Sequence, residues 1–134
     1  MSDETFNELF ALALDSEEFA HARVVALITD GYSSSYGFAR NKTHPFQKRF
    51  GTTEDHIYLH AETDAIKNWL RFNGGVEDLS DCELYIMRVK KASRNGPWVI
   101  GLSKPCIGCM RAIATFGINE VYYTEDNAKE FTCL

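Results

Sequence analysis

His60, Glu62, Cys106 and Cys109 are the residues whose types and spacing can do chemistry together. One neutral imidazole and two thiolates supply three ligands for Zn²⁺. Three protein ligands leave the fourth tetrahedral position open, the arrangement of a catalytic site and not of a closed structural one. Zinc held in this way lowers the pKa of a coordinated water from about 15.7 to about 7, so a nucleophile exists at neutral pH. Glu62 is not needed as a ligand and is left to take the water's proton and hand it on. Of the four cysteines, Cys82 and Cys133 form no second Cys-x-x-Cys that would complete a structural tetrad.

The elements that position these groups follow from local spacing. Residues i and i+3 share a helix face, so Cys106 and Cys109 point the same way from a first turn, with Pro105 suited to the helix start. The helix runs on through Phe116 and stops at Gly117. His60-Ala61-Glu62 opens a second helix whose stripe is Ile66, Trp69 and Leu70 and whose end is Asn73-Gly74-Gly75. Two helix N-termini thus converge on the metal, and their partial positive charge favours thiolate and hydroxide.

Around them the chain alternates helices and strands without linker or repeat. An amphipathic helix is expected from about Glu4 to Phe19. A buried strand, Val24 to Thr29, turns at Asp30-Gly31 into an antiparallel partner, Ser34 to Ala39. A long polar loop follows from Asn41 to about Ile57. Further strands are expected at Glu83–Val89, Trp98–Leu102 and Glu120–Thr124, giving a mixed sheet with helices on its faces. The 134 residues, 45% hydrophobic and 25% charged, fit one domain, residues 1–134. No membrane-length apolar run and no basic-then-apolar signal pattern is read in the chain, so a cytoplasmic protein is expected, a compartment that fits the reduced state expected of Cys82 and Cys133.

The pair of motifs, His60-Ala61-Glu62 and Pro105-Cys106-Ile107-Gly108-Cys109, resembles the His-x-Glu and Pro-Cys-x-x-Cys signature of zinc-dependent nucleobase and nucleotide deaminases. The element order resembles the cytidine deaminase-like fold over nearly the whole chain. That resemblance implies a three-layer α/β/α sandwich on a mixed five-stranded sheet, with zinc between the two ligand helices. One departure is Lys90 to Pro97, which turns the usual single strand before the Pro-Cys motif into a hairpin of residues 84 to 103.

The resemblance also implies substrate contacts. Histidine at position 60, where free-nucleoside deaminases usually carry cysteine, is more similar to the deoxycytidylate, tRNA adenosine and polynucleotide enzymes. Asn41 matches the sugar-binding asparagine of the family, and Ala61 borders the substrate. Phe46 is a candidate wall for the base. Lys42, Lys48 and Arg49 are candidates for a 5′-phosphate, which favours a nucleotide over a nucleoside. His44 and His56 read as ordinary loop histidines, since no carboxylate or thiol stands at matching spacing for a second zinc.

The expected reaction is hydrolytic deamination of a small cytosine nucleotide, dCMP to dUMP. The alternative is a polynucleotide deaminase, against which the net charge of −5 weighs, because strand binding rests on phosphate neutralisation. A basic stripe from Lys42, Lys48, Arg49, Arg88, Lys90, Lys91, Arg94 and Lys104 would favour it. A homo-oligomer is expected, with Trp69, Ile113 and Phe116 as candidates for contact between subunits.

Overall fold

A computed structural model describes residues 3–16, 22–51 and 58–134. The elements in chain order are α1 (Asp3–Asp15), β1 (Ala22–Thr29), β2 (Ser34–Phe38), α2 (Pro45–Phe50), α3 (Ala61–Phe72), β3 (Glu83–Lys91), β4 (Trp98–Gly101), α4 (Ile107–Phe116), β5 (Glu120–Tyr123) and β6 (Thr132–Cys133). The stretch beyond Ser16 expected to complete the first helix lies outside the described residues, as does His56.

Alternation along the two central strands builds both cores. In β1, Val25 and Leu27 point to one side and Ala26 and Ile28 to the other. In β3 the split is Tyr85, Met87 and Val89 against Leu84 and Ile86. The first set buries Leu9 and Ala13 of α1. The second packs Ala65, Ile66 and Trp69 of α3 with Ala112, Ile113 and Phe116 of α4. These are the three layers of the expected sandwich. Trp69, Ile113 and Phe116, expected as candidates for contact between subunits, are spent on this internal core.

The strand order is β2-β1-β3-β5-β6, with β4 also paired to β3. The hairpin departure fits because β3 is long enough to share one edge between two partners. Its first half, Glu83 to Ile86, pairs in parallel with β5, and its second half, Arg88 to Lys91, pairs antiparallel with β4. The sheet has a sixth strand beyond the five expected, because Thr132 and Cys133 pair antiparallel with Tyr123 and Tyr122. Behind it, Tyr122 stacks on Tyr85 at 5.0 Å and faces the α1 side, away from the metal ligands.

Within the expected polar loop, Pro45 to Phe50 is helical, with Pro45 in the first turn and His44 as N-cap, whose Nδ1 accepts from Phe46 N–H at 3.0 Å. Gly37 of β2 lies directly against α3. A Cβ there would overlap the backbone N of Ala65 and the carbonyl O of Ala61, so only glycine lets strand and ligand helix meet. No helix among the described residues is long and apolar enough to cross a membrane.

Candidate metal centre

His60 is the N-cap of α3 and Cys106 the N-cap of α4, and neither side chain caps its own helix. Both turn instead to a common point. His60 Nδ1 lies 3.5 Å from Cys106 Sγ and 3.3 Å from Cys109 Sγ. A tetrahedral ion with Zn–S of about 2.3 Å and Zn–N of about 2.0–2.1 Å separates nitrogen from sulfur by about 3.5 Å. The three side chains therefore fit zinc in both chemistry and spacing, and they form the one three-ligand group of this kind among the described residues.

The three ligand side chains stand in unlike electrostatic settings. The hydrogen bond from Cys109 holds the Cys106 thiol far below the ordinary range despite its burial, and the same bond, with burial, pushes Cys109 up. The His60 ring is raised by its bond to Cys106, with burial opposing. Glu62 occupies the second position of α3 and is 6% exposed. Burial pushes its carboxyl above the usual carboxylate range, while its own backbone N–H and the His60 ring pull it down. A buried carboxyl of this kind exchanges protons more readily near neutrality than an exposed one.

What caps α3 comes from another element. Gln47 of α2 is fully buried, and its Oε1 accepts the His60 backbone N–H at 3.1 Å and the hydroxyl of Thr63. Its Nε2 has no hydrogen-bond partner among the described residues, so the side chain is held from its oxygen alone. The approach to Cys106 is fixed by a second buried network. Ser103 Oγ donates to Ile86 O at 2.8 Å and accepts from Thr124 N–H at 2.7 Å, and Thr124 Oγ1 donates to Gly101 O at 2.7 Å. Sequence reasoning missed Gln47, Ser103 and Thr124. The one legible signal was Gln47, a polar residue on the inner side of a Pro-started turn.

A cavity of about 370 Å³ opens beside the ligands. His60, Ala61, Glu62 and Cys106 are in its wall, together with Arg88, Ser103 and Lys104. Asn41 is not in this wall; it lines a neighbouring cavity of about 570 Å³ with Asp15, Phe38 and Arg40, and Ala39 borders both. The larger cavity holds none of the metal-ligating side chains. Phe46 packs on Phe50 and Phe116, with ring centroids at 5.4 and 5.9 Å, as part of the α2–α4 core and outside the wall. Arg49 lies over the Phe50 ring at 4.9 Å, and neither it, Lys42 nor Lys48 reaches the wall.

Residues 2–125 match the family described as "Cytidine and deoxycytidylate deaminase zinc-binding region". No curated protein matches the chain.

Proposed function

The chain belongs to the cytidine and deoxycytidylate deaminase zinc-binding family, and on that premise we propose that it acts on a small cytosine nucleotide, converting dCMP and water to dUMP and ammonia. The protein is a zinc-dependent deaminase, with His60, Cys106 and Cys109 fitted to the ion. When bound there, zinc supplies Lewis-acid activation of water.

The observation that carries the reading is the presence of Glu62 in the same cavity wall as His60 and Cys106. In the balanced reaction a water oxygen bonds to C4 of the base, the exocyclic C–N bond breaks, and the amine leaves as ammonia. Two protons must move. Glu62 takes one from the water and delivers it to N3, then takes the second from the new C4 hydroxyl and passes it to the departing amine as the C4 carbonyl forms, a role suited to a buried carboxyl raised by desolvation. Ala61, 1% exposed between the two functional residues, presents the floor against which the ring lies.

We include in this reading a cytoplasmic enzyme that works as a homo-oligomer. With Trp69, Ile113 and Phe116 buried inside one chain, contacts between copies fall to the apolar side chains still exposed near the site, Leu102, Ile107 and Met110. Light scattering that reports a monomer with full activity would remove the assembly from the reading.

The test of function is ammonia release from the zinc-loaded protein with dCMP, deoxycytidine, dCTP, adenosine, guanine and a cytosine-containing single strand. Turnover of dCMP above the others is expected. Glu62→Gln should keep zinc and lose about 10²- to 10⁴-fold in turnover. A loss below tenfold would assign the proton transfers to another group, and preference for the single strand would replace the small-nucleotide reading.

A further inference from the structure

We propose that Arg88 and Lys104 form the anion subsite of this cavity and receive the 5′-phosphate of the nucleotide, in place of Lys42, Lys48 and Arg49. The proposal rests on the cytosine-nucleotide reading of the same cavity.

Strand geometry aims Arg88. Leu84 and Ile86 of β3 face the α3–α4 layer, and residue 88 continues that face two positions further on, where the hydrophobic core ends and the cavity begins. Its cross-strand partner is Gly101. A Cβ at Gly101 would stand 3.4 Å from both Cγ and Cδ of Arg88, so the glycine leaves the arginine stem its path across β4. The backbone beneath is anchored, since Arg88 N–H donates to Thr124 Oγ1 at 3.3 Å.

Lys104 is carried into the same wall by the loop that delivers Cys106. Ser103, immediately before it, is 7% exposed and tied to both β3 and the end of β5. One buried network therefore sets the spacing between metal ligand, lysine and arginine.

The two cations are uncommitted. Neither makes an ion pair among the described residues, where the pairs are Arg40–Asp64, Lys67–Asp64 and Lys90–Asp126. Asp126 is near enough to feel Arg88, but it is held by Lys90 Nζ at 2.9 Å and by Leu102 N–H at 3.1 Å. In a chain of net charge −5, two unpaired cations in the wall that also carries Glu62 call for a ligand with its own negative charge. A guanidinium fork binds a phosphate through two parallel hydrogen bonds, and the ammonium adds a point charge. The volume, about 370 Å³, suits one small ligand.

The experiment compares dCMP with deoxycytidine on zinc-loaded protein, by turnover and by calorimetric binding to the Glu62→Gln form. Arg88→Gln is expected to lower kcat/KM for dCMP by about 10- to 100-fold, mostly through KM, and Lys104→Gln to lower it less. Both should leave deoxycytidine within about threefold, and calorimetry should show the same split. Equal losses on both substrates, or none on dCMP, would overturn the subsite while leaving the deaminase reading intact. Thermal shift with inorganic phosphate separates the remaining case. If no cytosine compound is bound or turned over, yet phosphate stabilises the protein and Arg88→Gln abolishes the effect, the anion site stands and the substrate reading fails. If phosphate is also without effect, both fail.

Discussion

Gln47 accepts the backbone N–H of His60 at 3.1 Å, so a side chain outside both ligand helices fixes the residue that begins one of them. His60 commits its imidazole to the metal and cannot cap α3 with it. Thr63, at the third helical position, is too short to reach back to that N–H as a glutamate would in a capping box. Gln47 bridges the two, accepting from both. Gln47→Ala is expected to cost about 1–3 kcal/mol of stability through the unsatisfied buried N–H. Zinc affinity should fall by about 10- to 100-fold, the usual effect of losing a group that orients a ligand. A competition titration against a chromophoric chelator checks it, and unchanged affinity would mean that His60 holds its position without Gln47.

Metal content and stability should move together. One zinc per chain is expected. At free zinc a thousand times the dissociation constant, binding adds about 4 kcal/mol to folding, which a chelator removes. Cys106→Ser, Cys109→Ser and His60→Ala should each lower occupancy and Tm. Full thermal stability of a chelated sample would contradict the ligand set.

Gly37→Ala tests the contact that seats α3 on the sheet. The new methyl meets backbone atoms of Ala61 and Ala65, which cannot swing aside as a flexible side chain does. Overpacking usually costs about 1–3 kcal/mol, and this variant should reach or exceed the top of that range. Because the strain falls on the turn after His60, zinc affinity should drop as well. A urea midpoint equal to that of the wild type would show that β2 and α3 are not in such close contact.

Alkaline pH should weaken the fold through Cys82. Burial, with Asp30, Asp81 and Asp78 nearby, pushes its thiol from 9.0 up to about 11. The folded state favours the neutral thiol, so this contribution is complete below the unfolded value and is lost as pH rises from 9.0 through about 11. Urea midpoints across that window should fall for the wild type and fall less for Cys82→Ala. Parallel curves would assign the loss to other groups, among them Tyr36, raised to about 12 by burial and by its bond to Glu8.

The chemistry of the site and most of the elements are legible in the sequence. Cys106 and Cys109 are brought to one face by helix geometry over a single turn, and the alternation in β1 and β3 assigns their side chains to two cores without knowledge of their neighbours. Such relations are local, and periodicity records them. Long-range packing supplies what no local pattern carries. Six residues of α2 are too few to show a helical period, and two of β6 too few to show a strand, so both were hidden within polar or terminal sequence. Phe46 and Arg49 lie in the segment that resembles a substrate loop, yet Phe46 packs on Phe116 at the edge of the core and the exposed Arg49 lies over the Phe50 ring. Arg88 reaches the cavity from a distant strand because its face of β3 runs out of core at the point where α3 and α4 deliver the metal ligands. A cavity wall is set by where separate elements end against one another, and that is fixed only when the layers pack.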